Sequence, residues 1–207
     1  ASDVYKRQFV VIYIVRTVVS VAVQGVSDGS GMQYVKEWAA MFKNPMMWLN
    51  IAALPINYFF VFIAFFGEEY GWRYYLQPVL QKRFGLRAGV IILGVVWGLW
   101  HIPDDLFYYT QTSGIQMIFA QQITCISLGI FFAYAYMKTQ NIWVPVCLHY
   151  LNNNLIPIIS GTFSADVLEN QTVSWKDLPV ALVLNGLCFG FFLLADVFKK
   201  KEVQEEE

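Results

Sequence analysis

Apolar and polar positions alternate along the chain in long blocks. Apolar stretches at roughly 9–25, 46–66, 86–103, 114–137, 141–160 and 178–198 are separated by shorter polar connections. A bilayer core about 30 Å thick takes about 20 mostly apolar residues per crossing helix. The pattern therefore predicts an all-α, polytopic membrane bundle of about six transmembrane helices. The first block is short and carries Arg16, which reads as a truncated or tilted span whose arginine reaches for the interface.

The segment from Gly67 to Phe84 departs from this pattern. It continues helically from the second block but holds Glu68, Glu69, Arg73, Lys82 and Arg83, which predicts an interfacial helix. The connection between Lys138 and Asn141 is so short that the fourth and fifth spans are expected to form an antiparallel hairpin. Polar loops are expected at 104–113 and 161–177, with Gly114 and Gly161 at their edges as breakers. No internal repeat or soluble domain is visible, so a single membrane domain is expected over 9–198. Polar tails occupy 1–8 and 199–207, the second charged and expected to be disordered. The chain begins at Ala1 without an initiator methionine, and an upstream part is expected to be missing or replaced.

Composition fits this picture: 57% of the 207 residues are hydrophobic and only 14% charged, against about 25% charged in an average soluble domain. The net charge of −1 leaves no basic footprint for nucleic acid. Cys125, Cys147 and Cys188 are widely spaced inside apolar blocks, where a thiol packs as a small hydrophobe. Loop charges give an orientation, because cytoplasmic loops carry the excess of Lys and Arg. With the chain starting inside, the inner segments hold Lys6, Arg7, Lys82, Arg83, Arg87, Lys138, Lys199, Lys200 and Lys201, and the outer ones Lys36, Lys43 and Lys176. Both ends are thus expected in the cytoplasm.

An ionisable residue in a membrane helix costs about 2.5–3.5 kcal/mol on insertion scales, so such residues face a bundle interior or a wet cavity. Three constellations meet that description: Glu68-Glu69-Tyr70-Gly71-Trp72-Arg73, Trp97-Gly98-Leu99-Trp100-His101 and His149-Tyr150-Leu151-Asn152-Asn153. Glu69 and Arg73 are four apart with the acid first, the favourable order for a helical ion pair. Glu68 points about 100° away round the helix and lacks that partner. A poorly solvated carboxylate can act as a general base near neutral pH. The plain alternative is an interfacial helix whose acids simply meet water. A lone His101 would read as a core residue bonded to a carbonyl, and His149 with Asn153, one turn apart on one face, as interhelical glue. Both histidines of the chain, however, fall in apolar segments together with two glutamates. A carboxylate with a histidine to activate water, and a histidine with an asparagine to bind an oxyanion, is the logic of amide hydrolysis. No GxSxG or HExxH occurs, while a dispersed zinc site of Glu68, His101 and His149 stays open on ligand types alone.

In these motifs and their order, over about residues 46–160, the sequence resembles the CPBP intramembrane proteases, which include CaaX prenyl endopeptidases and bacteriocin-processing or immunity proteins, also called the Abi family. Trp97 stands where that family usually has Phe. The resemblance implies an intramembrane endopeptidase in which Glu68 and His101 activate the attacking water, His149 and Asn153 form the oxyanion hole, and Glu69 and Arg73 are the supporting pair. It implies no cofactor, with a zinc-dependent version as the alternative. The implied partners are the lipid bilayer and a membrane-associated or lipidated peptide or protein substrate, in the inner membrane of a prokaryote. A second function class is a non-catalytic immunity or adaptor protein on the same scaffold. A transporter is disfavoured, since neither inverted repeats nor paired broken helices are evident.

Overall fold

The computed structural model describes residues 2–28, 31–160 and 165–199. Ten α-helices occur among them: α1 Ser2–Asp28, α2 Gly31–Lys43, α3 Pro45–Glu69, α4 Gln77–Phe84, α5 Leu86–Trp100, α6 Ile102–Phe107, α7 Gly114–Thr139, α8 Trp143–Ser160, α9 Ala165–Glu169 and α10 Asp177–Cys188. A π-helical segment, Tyr70–Leu76, joins α3 to α4, and 3₁₀ turns Gly190–Leu194 and Asp196–Phe198 follow α10. No strand occurs among the described residues, and the chain is a helical membrane bundle.

Among the described residues, three helical stretches are long and apolar enough to cross a membrane: Pro45–Phe84, Leu86–Phe107 and Gly114–Thr139. They take in the second, third and fourth blocks of the hydrophobic pattern, and α1, α8 and α10 lie over the other three. Some boundaries differ from expectation. Residues 2–8 belong to α1, α2 occupies a stretch with no assigned element, and α6 and α9 form within the expected loops. The last block is α-helical only as far as Cys188. Residues 161–164 and the charged tail from 200 onward lie outside the described residues.

Local chemistry sets the key helix ends. The side chain of Asn44 accepts from the backbone N–H of Met46 at 2.9 Å, and Pro45 opens α3, where its missing N–H costs nothing. Gln140 takes a left-handed conformation (φ 50°) and its N–H donates to Tyr136 O at 2.7 Å, closing α7 before the turn into α8. α7 is the inner helix: Leu128, Phe131, Phe132 and Ala135 are buried with Phe9 and Tyr13 of α1, Trp97 of α5, Val144 and Leu148 of α8 and Phe189. α3 contrasts with it, leaving Ile56, Phe59, Phe60 and Ile63 exposed as an apolar face suited to lipid.

Two glycines let α5 lie close to its neighbours. A Cβ on Gly89 would fall 2.6 Å from the backbone nitrogen of Gln81 in α4, and one on Gly94 would fall 2.6 Å from Cα of Ile126 in α7. Small residues at such crossings are how membrane helices approach closely without a hydrophobic drive. The consequence is that α4, α5 and α7 form a tight group around the polar motifs.

Candidate active site

The first motif lies where α3 gives way to the π-helical segment, so the expected interfacial helix is a direct continuation of α3. The N–H of Gln77 donates to Trp72 O, the i→i+5 pattern of a π-helix. Glu69 and Arg73 are both fully buried, with Arg73 Nε donating to Glu69 Oε2 at 2.9 Å. Arg73 Nη1 donates to Gly129 O of α7 at 3.2 Å. The guanidinium carbon lies 5.4 Å from the ring centre of Trp97 and 5.6 Å from that of Phe132, within cation–π range.

Glu69 also reaches the third motif, since Nδ1 of the buried His149 lies 2.9 Å from its Oε1. A carboxylate only accepts, so Nδ1 carries the proton and Nε2 is the nitrogen left to face a ligand. The ring of His149 is walled by Phe65 and Trp97, with centres 5.2 and 5.3 Å away. Asn153, one turn further along α8, is exposed, and its Oδ1 accepts from Asn152 Nδ2 at 2.8 Å. That bond leaves the amide N–H groups of Asn153 as its free donors.

In the second motif, His101 caps α5 and its Nδ1 lies 2.8 Å from Trp97 O. A carbonyl only accepts, so Nδ1 again carries a proton, which leaves Nε2 as the nitrogen that can face a ligand. Cys125 Sγ of α7 is 3.8 Å from the same Nδ1. Glu68 is partly buried, and its Oε2 is enclosed with no hydrogen-bond partner among the described residues.

The bundle thus joins Glu69, Arg73 and His149 by direct contacts, with His101 against the Trp97 ring, 5.9 Å between ring centres. Trp97 touches both histidines and the guanidinium, and its indole Nε1 has no partner among the described residues. Two further buried polar residues stand close by. Gln77 is 1% exposed and Asp105 is fully buried with neither carboxylate oxygen partnered among the described residues. Gln77 was legible in principle, because it continues the four-residue spacing of Glu69 and Arg73. Asp105, one turn beyond His101, had no such signal within a stretch that reads as a polar loop. As for a metal, no group of three or more His, Cys, Asp and Glu side chains among the described residues is arranged to hold one.

Comparison with known proteins gives a family. The family model for type II CAAX prenyl endopeptidase Rce1-like proteins matches residues 50–155, which take in all three motifs. The protein named CAAX prenyl protease 2 of Methanococcus maripaludis is 27% identical over 125 residues, or 56% of this chain and 45% of that relative. The chain thus matches a little under half of that relative's length. No solved structure matches.

Proposed function

Because the chain belongs to the type II CAAX prenyl endopeptidase Rce1-like family, we propose that it is an intramembrane endopeptidase that hydrolyses a peptide bond of a membrane-associated or lipidated substrate. Two features support this reading: Glu68 carries an unpartnered buried carboxylate oxygen, and both histidines have their Nδ1 atoms fixed by acceptors. Fixing Nδ1 directs each Nε2 at a ligand, and the two histidines then take different roles. His101 Nε2 accepts a hydrogen bond from the attacking water while Glu68 takes its proton. His149, held against the Glu69 carboxylate, donates from Nε2 as an imidazolium.

The reaction follows from those positions. Water loses a proton to Glu68 as its oxygen bonds to the scissile carbonyl carbon. The carbonyl oxygen becomes an oxyanion, met by His149 Nε2–H and the Asn153 amide, preorganised donors whose worth is greatest in a dry site. Collapse of the tetrahedral species breaks the C–N bond, and Glu68 returns the proton to the leaving amine. Arg73 balances the charge of Glu69, so the supporting carboxylate holds His149 without itself acting as base. No metal takes part in this scheme. The inner membrane of a prokaryote, with both termini cytoplasmic, is the location that accords with the loop charges.

The test is cleavage of a peptide library by purified protein in detergent, with and without prenyl groups, beside Glu68→Gln and Asn153→Ala. Losing one oxyanion donor costs about 100- to 1,000-fold in rate, so Asn153→Ala should retain residual turnover. Glu68→Gln should lose nearly all, since an amide keeps the shape but accepts no proton. A biological activity that survives Glu68→Gln intact would favour the immunity or adaptor reading instead.

A further inference from the structure

The polar residues of the first motif do not stop at Arg73. Glu69, Arg73, Gln77 and Gln81 recur every four residues, and the first three are 0%, 0% and 1% exposed. In a pure α-helix a four-residue step overshoots a full turn by about 40°, so such a series would wind away from one face. A π-helix has wider turns, and there a four-residue step falls short of a full turn. Because the π-helical segment spans Tyr70–Leu76, the two errors offset and all four residues stay on one ridge.

Two of its side chains reach across to α7. Arg73 donates to Gly129 O and Gln81 donates to Met137 Sδ at 3.3 Å, each pair 56 residues apart. Gln81 is further tied to Leu86 O at 3.1 Å, which anchors the outer end of the ridge at the α4–α5 turn. Gln77 Nε2 donates to Gln81 Oε1 at 3.4 Å. Two groups on the ridge are left without a partner among the described residues, Arg73 Nη2 and Gln77 Oε1. They are a donor and an acceptor four residues apart, both enclosed.

We propose that Gln77 is a positioning residue for the peptidase reaction: its side-chain oxygen, unpartnered in the structure as it stands, turns onto the equally unpartnered Arg73 Nη2, and the ridge from Gln81 through Gln77 and Arg73 then fixes Glu69 and, through it, His149. The inference rests on the endopeptidase reading and adds to it a residue outside the three motifs. A guanidinium held only at Nε and Nη1 can rock about those two bonds. Tying the third nitrogen to an anchored amide removes that freedom, and small displacements at a catalytic centre are costly in rate.

Gln77→Met, which keeps length and volume without the acceptor, and Gln77→Glu, which keeps the acceptor, separate positioning from packing. For Gln77→Met the expected result is a fall in kcat of about tenfold or more, with KM within about twofold. Gln77→Glu should return most of that loss. Parent-like kcat in Gln77→Met overturns the proposal, as does an equal loss in both variants or a change confined to KM. If Gln77→Met does not fold, Gln77→Glu decides alone, and a tenfold loss there counts against positioning. A double-mutant cycle of Gln77→Met with Arg73→Met, read as melting temperature in detergent, needs no turnover. Non-additive shifts support the contact and additive shifts refute it. Parent protein that cleaves no peptide would sink the endopeptidase reading, while the cycle would still report on Gln77 and Arg73.

Discussion

Replacing Arg73 by alanine removes the one cation that touches Glu69 through a side-chain nitrogen of a neighbouring helical turn. Arg73 and Glu69 are fully buried and bonded at 2.9 Å, and the arginine also holds Gly129 O and packs over Trp97 and Phe132. Breaking a buried pair by deleting one partner typically costs about 3–5 kcal/mol, because the remaining charge stays buried without compensation. For a chain of this size each kcal/mol shifts the melting temperature by about 2–4 °C, so Arg73→Ala should melt lower by about 6–20 °C. The assay is thermal unfolding in detergent, followed by intrinsic tryptophan fluorescence. The argument makes a second demand, that Glu69→Gln with Arg73→Met, which removes both charges and keeps most of the volume, be less destabilised than Arg73→Ala. An Arg73→Ala protein melting within about 2 °C of the parent but inactive would refute the reasoning, and would assign the arginine to substrate or chemistry instead.

Three other outcomes are expected. Purified protein should contain substoichiometric zinc and keep its activity with chelators; stoichiometric metal lost in His101→Ala or His149→Ala would restore the zinc scheme. Asp105→Leu, which replaces a buried carboxylate lacking protein partners, should raise stability by about 1–3 kcal/mol, and a lower melting temperature would reveal a partner that holds this acid. A cysteine introduced at the exposed Thr172 should react with a membrane-impermeant maleimide on intact cells, whereas labelling only after permeabilisation would reverse the orientation.

The helical class and the three motifs were legible in the sequence because each depends on short-range facts. Apolar blocks near 20 residues long declare membrane helices, and the spacing from Glu69 to Arg73 declares a pair within one turn. The same spacing told Glu68 from Glu69, leaving the first without a helical partner. Tertiary packing alone decided that Glu69 faces two ways at once, because its bond to His149 joins residues 80 apart and no local pattern encodes which helices meet. Trp97 likewise belonged to one motif by sequence, and the bundle brought its ring against both His101 and His149. The π-helical turn could not be read either, since it exchanges regular helical bonding for burial of Arg73 and Gln77. That exchange is favourable only where α7 offers Arg73 the Gly129 carbonyl, and the sequence of the turn says nothing about what will lie across from it.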